Sequence, residues 1–153
     1  MTVGDAVETT PPRLAQAAIA DDLGLLLAKL HAVGSVLNNR ALADVDLRER
    51  SYSVLRLACS GLEPTQRELA EFLSLDPSQI VALVDELERR ELVVREQGRT
   101  DRRQKIVLAT PHGERVHAQA EAAVRARERE QLAALDDDEA ATLRALLRRA
   151  LWG

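Results

Sequence analysis

The stretch "TQRELAEFLSLDPSQIVALVDELERR", residues 65–90, contains two helix-start signals in close succession. Thr65 is followed three residues later by Glu68, a capping box in which each side chain satisfies the other residue's backbone N–H group. Asp76 and Gln79 repeat that spacing. Because only the segment "LSL" separates the two helices, the stretch predicts a helix-turn-helix.

The segment that follows predicts a basic β-hairpin. The runs "ELVVREQ" and "RQKIVLAT" are rich in β-branched residues and flank a charged loop. Residues 89–105 hold seven basic and three acidic side chains, a local charge of +4 in a chain of net charge −4. Such a loop beside a helix-turn-helix can reach DNA phosphates or the minor groove, which predicts a winged helix-turn-helix. The alternative is a solvated hairpin tip.

Amphipathic helices are predicted on both sides of this region, at residues 12–42, 47–60, 111–135 and 136–151. The expected fold is mainly α, with a winged helix-turn-helix lobe at 47–110 and a helical dimerisation region at 12–46 and 111–153. Residues 1–11 are polar and predict a flexible N-terminal arm. A monomer would leave several leucines uncovered, so a homodimer is expected. They are Leu143, Leu146, Leu147 and Leu151.

Composition excludes several functional classes. With 2% aromatic residues the chain lacks a stacking platform for single-stranded nucleic acid. No nucleophile–base set and no glycine-rich phosphate loop are present, so we expect no enzymatic activity and no cofactor. His112 and His117 have no cysteine nearby and predict solvated helix surface, with no metal site. Cys59, the single cysteine, predicts a buried packing residue. No membrane span or secretory signal is apparent, which predicts a cytoplasmic protein.

Four short motifs occur together in register: "ELA", "LVDELERRELV", "DRR" and "TPHG". With this order of helices, the chain from about Leu23 to Leu151 resembles the multiple-antibiotic-resistance regulator (MarR) family of bacterial transcription factors. The resemblance implies an obligate homodimer, a DNA-binding lobe on each subunit and often a small-molecule pocket between lobe and dimer region. Two departures stand out. Glu91 replaces the usual glycine after the recognition helix, which predicts a slightly different helix cap. Val81 and Ala82 replace a polar and a basic residue common in relatives, which predicts more dependence on the wing.

The predicted DNA contacts divide by role. Ser78 and Gln79 would read bases, with Gln79 placed for a bidentate contact to adenine, unless it is held as the second half of the capping box. Asp101 is expected to pair with Arg103 or Arg95 and shape the wing. The wing-structuring residues are therefore Asp101 and Arg95. The predicted DNA-binding residues are Gln66 and Arg67 (phosphate), Ser78, Gln79, Val81 (a thymine methyl, or only the edge of the buried stripe), Ala82, Arg99, Arg102 and Arg103.

The family pocket would be lined by the first, second and fifth helices, which makes His31, Tyr52 and Arg56 candidate effector contacts. All three could equally be packing or surface residues. The predicted function is a homodimeric repressor that responds to a small-molecule effector and binds a pseudo-palindromic duplex operator. The alternative is a winged-helix protein-interaction module without DNA binding.

Overall fold

The computed structural model describes residues 12–98 and 101–153 and confirms a mainly helical fold with one β-hairpin. The chain divides into two compact units, one ending at Val33 and the other comprising Gly34–Gly153. Within the described ranges, no helix has the length and hydropathy needed to cross a membrane. The elements are 3-10 turns Arg13–Gln16 and Ala18–Asp21, α1 Leu23–Ala41, a 3-10 turn Ala43–Val45, α2 Glu49–Ala58, α3 Gln66–Leu73, α4 Pro77–Arg89, β1 Val93–Gln97, β2 Lys105–Ala109, α5 Pro111–Gln131 and α6 Asp137–Trp152.

The first α-helix begins later than the sequence predicted. Residues 13–21 form two 3-10 turns instead of α-helix, because Ala17 between them is extended. Asp22 is extended as well, and its carboxylate accepts the Leu25 N–H at 2.9 Å, which satisfies one of the free donors at the start of α1. No side chain between residues 12 and 33 is buried, and four leucines of this stretch are exposed: Leu14, Leu23, Leu26 and Leu27.

Both predicted capping boxes are confirmed. The Thr65 hydroxyl accepts the Glu68 N–H at 3.2 Å, and the Glu68 carboxylate accepts the Thr65 N–H at 2.8 Å. At the start of α4, the Asp76 carboxylate accepts the Ser78 N–H at 2.8 Å, and the Gln79 side-chain oxygen accepts the Asp76 N–H at 3.3 Å. Local side chains therefore fix where α3 and α4 begin, and with them the helix-turn-helix.

The end of α4 does not differ from the common form, contrary to the prediction. The Leu92 N–H donates to the Leu87 carbonyl at 2.9 Å and the Glu91 N–H donates to the Glu88 carbonyl at 2.9 Å, the two bonds of a Schellman motif. This cap needs a left-handed residue, and Glu91 supplies it with a φ of 56°. A non-glycine residue here costs about 1 kcal/mol, so the tertiary structure imposes the conformation.

The predicted wing is confirmed as an antiparallel hairpin. Val93 pairs with Ala109 and Arg95 with Val107. The Val107 N–H also donates to the Pro64 carbonyl at 2.8 Å, which fastens the hairpin to the segment preceding α3. The wing is therefore anchored to the helix-turn-helix at its base.

A close backbone contact fixes α5 against the start of the hairpin. A Cβ atom at Gly113 would lie 1.9 Å from the Leu92 carbonyl oxygen, so only glycine fits in "TPHG". The Thr110 hydroxyl accepts the Gly113 N–H at 2.9 Å and donates to the Glu91 carbonyl at 2.6 Å. The core on which these elements pack consists of Leu42, Leu47, Tyr52, Val54, Leu55, Ala58, Leu69, Ala70, Ile80, Val84, Leu87, Leu92, Val93, Val107 and Ala120.

The last helix contributes nothing to this core. α6 begins at a capping box in which Asp136 accepts the Glu139 N–H at 2.8 Å, and none of its residues is buried. Leu146 is 48% exposed and Leu151 is 69% exposed. This helix therefore keeps an apolar surface open to solvent within a single chain.

Candidate DNA-binding site

The recognition helix α4 has one buried and one exposed face. Ile80, Val84 and Leu87 are buried in the core. Val81 is 42% exposed and Ala82 is exposed, so both are available to a partner molecule. The exposed face that the sequence predicted for DNA contact consists of Ser78, Gln79, Val81 and Ala82.

The side chains of the first turn of α4 are engaged with the helix cap. The Ser78 hydroxyl donates to Asp76 Oδ1 at 2.5 Å. Of the two roles considered for Gln79, the structure shows the capping role, since its side-chain oxygen accepts the Asp76 N–H. A bidentate contact to adenine uses both atoms of the amide, so base reading by Gln79 requires release of this 3.3 Å bond.

The two residues predicted to contact phosphate at the start of α3, Gln66 and Arg67, differ in how strongly the protein holds their side chains. Arg67 is 86% exposed and bonds Glu71 at 2.8 Å, a surface pair one turn apart that holds the side chain weakly. Gln66 is half-buried, and its side-chain oxygen accepts a hydrogen bond from Arg95 Nε at 2.6 Å. Arg67 can therefore turn toward a phosphate, whereas Gln66 is partly committed to the protein.

Arg95 does not pair with Asp101, contrary to one of the predicted alternatives. Its guanidinium bonds Asp85 Oδ1 at 2.5 Å and also bonds Glu88, both on α4. The Arg95 side chain is only 17% exposed. Through these bonds to α4 and its bond to Gln66 on α3, Arg95 joins β1 to both helices. We call this group, Arg95 with Gln66, Asp85 and Glu88, the arginine clamp. The sequence contained one indication that Arg95 faces inward. Side chains alternate between the two faces of a strand, so Arg95 lies on the same face of β1 as the buried Val93.

The wing loop is shaped by Asp101 through the backbone. Asp101 Oδ1 accepts the Arg103 backbone N–H at 2.9 Å, and the Asp101 carbonyl accepts the Gln104 N–H at 3.1 Å. The Asp101 side chain thus bonds the main chain of Arg103, and the Arg103 guanidinium is not used in this contact. The side chains of Arg102 and Arg103 are exposed. Arg99, the remaining predicted wing contact, lies outside the described residues.

Fewer basic side chains are exposed and unpaired in the structure than the count over residues 89–105 of the sequence suggested. Arg90 turns inward and donates to the carbonyl oxygens of Val45 at 3.0 Å and Asp46 at 2.5 Å. Arg95 is neutralised by the two carboxylates of the clamp. Within residues 89–98 and 101–105, the exposed cations without an ion-pair partner are Arg89, Arg102, Arg103 and Lys105.

Two of the three candidate effector contacts lie close together on α2. Tyr52 is 6% exposed, and its ring stacks on that of His117 with centroids 6.0 Å apart. Arg56, one turn further along, lies 3.6 Å from a Glu121 carboxylate oxygen. His31 is exposed on α1, in the first compact unit. Tyr52 is therefore an inward-facing residue, and Arg56 is a surface residue beside it.

His117 is not the solvated surface residue that the sequence predicted. It is half-buried, because it continues the inward stripe of α5 between Gly113 and Ala120. Neither its Nε2 atom nor the Tyr52 hydroxyl has a hydrogen-bond partner among the described residues, although both atoms are buried. Burial raises the pKa of Tyr52, and the neighbouring Arg56 guanidinium opposes that rise.

Cys59 fits the predicted packing role. It is half-buried at the end of α2. Burial, assisted by the nearby Glu114 carboxylate, raises the pKa of the thiol to about 11. The thiolate that oxidation and alkylation require is therefore scarce at neutral pH.

Comparison with known proteins places this geometry among DNA-binding regulators. The family model that matches residues 47–105 is that of the MarR family. A transcriptional regulatory protein for the hcr operon of Thauera aromatica is 36% identical over 98 residues, which cover 64% of this chain and 59% of that protein. The chain thus spans about three fifths of the length of this curated relative.

Solved structures match over nearly the whole chain. CouR from Rhodococcus jostii RHA1, bound to p-coumaroyl-CoA, is 42% identical with a TM-score of 0.81, covering 89% of this chain and 96% of that one. A MarR-family regulator from Rhodococcus sp. RHA1 is 40% identical with a TM-score of 0.83 and the same coverage. A mutant of Escherichia coli MarR, complexed with operator DNA, is 25% identical with a TM-score of 0.74, covering 92% and 99%. The chain belongs to the MarR family of transcriptional regulators.

Proposed function

We propose that the chain is a homodimeric transcriptional repressor that binds a pseudo-palindromic duplex DNA site and releases it in response to a small molecule. The relatives are described as regulators, which supports a non-enzymatic role. A repressor of this kind acts where the bacterial chromosome lies, which supports a cytoplasmic location.

One observation carries this proposal: the arginine clamp ties the wing to the recognition helix. It fixes the exposed face of α4 relative to the strand that leads into Arg102 and Arg103. A helix held in this way can enter the major groove while the wing arginines reach phosphates or the adjacent minor groove. The operator complex of Escherichia coli MarR, a structure of the same fold, supports this use of the surface.

The predicted site residues take distinct roles in this proposal. Arg67 binds backbone phosphate, and Gln66 contributes through its amide nitrogen while its oxygen serves the clamp. Ser78 and Gln79 read bases, and Val81 contacts a thymine methyl. The wing contacts are Arg99, Arg102 and Arg103.

We assign residues 47–110 to the DNA-binding lobe and residues 12–46 and 111–153 to the dimerisation region. Exposed leucines support this division, since Leu23 and Leu26 in the first unit and Leu146 and Leu151 on α6 all face solvent in one chain. A second copy that covers them would bury apolar surface. Light scattering should give twice the chain mass of 16.9 kDa at micromolar concentration. A stable monomer would contradict the assignment.

For the effector we propose an aromatic acyl-coenzyme A thioester. CouR, which is 42% identical to this chain where the two align, is bound to p-coumaroyl-CoA. Tyr52 and Arg56 on α2 are the proposed contacts, with His31 as a further candidate. The thioester should release DNA from the protein.

Selection of bound fragments from random duplexes tests the proposed function. We expect enrichment of one inverted-repeat sequence and retention on heparin that falls steeply with added salt, despite a pI near 5.4. A protein-interaction module would enrich no sequence and would pass through heparin at low salt.

A further inference from the structure

A pocket of about 390 Å³ opens beside α2, α5 and α6, and nothing in the DNA-binding surface uses it. Its volume lies in the range of small-molecule sites. The residues that line it are Arg56, Val124, Arg125, Glu128, Arg129 and Arg144.

The pocket is positively charged, although the chain as a whole is acidic. Arg125 bonds Glu121 at 2.8 Å, and Arg144 bonds Glu128 at 2.6 Å. Arg56 shares Glu121 at 3.6 Å. Arg129 has no ion-pair partner within the described part of the chain. Three of the four guanidinium groups thus share two carboxylates and the Arg129 guanidinium has none, which leaves an excess charge of +2 around one concavity.

Buried atoms next to the pocket lack a partner. Arg56 lies one turn after Tyr52 on α2, and Glu121 lies one turn after His117 on α5. The 3.6 Å contact between Arg56 and Glu121 therefore runs beside the stacked pair of Tyr52 and His117 and joins that pair to the pocket. The Tyr52 hydroxyl and His117 Nε2 are buried without hydrogen bonds from the described residues. Buried polar atoms are nearly always satisfied in native proteins, by protein groups, water or a ligand, so this pair offers hydrogen-bonding capacity to a molecule bound beside Arg56.

We propose that this arginine pocket binds the phosphate groups of the coenzyme A portion of the effector, with the acyl portion directed toward Tyr52 and His117. Arginine suits phosphate because its planar fork donates two parallel hydrogen bonds. The +2 excess matches a ligand that carries several negative charges. This inference rests on the proposed function, since it names the part of the effector that the pocket takes.

Titration calorimetry with coenzyme A is the direct test, and the ligand controls are pantetheine and adenosine, which are the two portions of coenzyme A without its phosphates. We expect the full-length protein to bind coenzyme A, with affinity that falls as salt is raised, and to bind either control much more weakly. The double variant Arg129→Gln/Arg144→Gln should lose at least about tenfold in affinity, because two charge-assisted contacts are removed.

Arg127→Gln is the matched control variant. Arg127 lies on the same helix and bonds Glu130, but it does not line the pocket. It should bind coenzyme A as the natural protein does. Equal affinity of the double variant and the control, or no binding of coenzyme A to the natural protein, would overturn the inference and leave an ion-paired helix surface.

Two further readouts separate this inference from the proposed function. Light scattering of the double variant should still give a dimer. Dissociation would assign the arginines to a subunit interface and overturn the inference. Binding of the selected DNA without ligand should be unchanged in the double variant. If the natural protein binds no DNA, the proposed function is wrong. The coenzyme A titrations still show whether the pocket binds the phosphate groups.

Discussion

Replacement of Arg95 by alanine should destabilise the protein while leaving the salt dependence of DNA binding unchanged, because Arg95 contacts carboxylates of the protein and no phosphate. The guanidinium makes charge-assisted bonds to Asp85 and Glu88 and a third bond to Gln66. Its loss leaves two carboxylates, at positions three apart on α4, without their shared cation. These carboxylates are 56% and 41% exposed, so the contribution falls at the low end of the range for charged hydrogen bonds. We expect a loss of about 2 kcal/mol in the free energy of unfolding.

Urea denaturation at fixed protein concentration measures this loss, since a dimer's stability depends on concentration. Arg103→Ala is the matched control: its guanidinium is exposed and free, so stability should change by less than about 0.5 kcal/mol. DNA affinity of Arg95→Ala should fall because the wing loosens, with no change in the salt dependence. A stability loss equal to that of Arg103→Ala, together with a salt slope lowered by about one unit per subunit, would show that Arg95 contacts phosphate instead.

Three further predictions concern stability and reactivity. Glu91→Gly should raise the free energy of unfolding by about 1 kcal/mol in the same assay, because φ is 56° at this position, and an unchanged or lower value would contradict the strain. Gly113→Ala should cost more than about 2 kcal/mol, because the new Cβ would meet the Leu92 carbonyl at 1.9 Å, and a mutant of native stability would refute that contact. Cys59, with a thiol pKa of about 11, should react slowly with iodoacetamide at pH 7 and faster as the pH rises toward 9, whereas rapid labelling at pH 7 would indicate an exposed thiolate.

Local signals in the sequence predicted the elements of the winged helix-turn-helix. The capping boxes of α3 and α4 depend on residues three apart, so Thr65 with Glu68 and Asp76 with Gln79 could be identified without knowing the fold. The start of α1 could not, because apolar spacing continues through residues 13–21 while the backbone is extended at Ala17 and Asp22.

Residues whose partners lie on other elements were harder to place. In the sequence Arg95 counts as a basic wing residue, yet its partners lie on α3 and α4. The alternation of side chains along β1 was the one sequence feature that predicted an inward-facing Arg95. His117 looked solvated because its stacking partner, Tyr52, lies 65 positions earlier on α2. Charge counts along the chain therefore overestimated the basic surface, and long-range contacts decided which arginines remain free.

A salt titration of Arg102→Ala and Gln79→Ala on selected and scrambled duplexes tests most directly whether the wing and α4 form a DNA-reading surface. Arg102→Ala should weaken both complexes by similar factors and lower the salt slope by about one unit per subunit. Gln79→Ala should lose roughly 1–3 kcal/mol per half-site on the selected sequence alone, with the slope unchanged. If Arg102→Ala leaves affinity and slope intact on both duplexes, the exposed arginines are a solvated hairpin tip and the proposed mode of DNA binding is wrong.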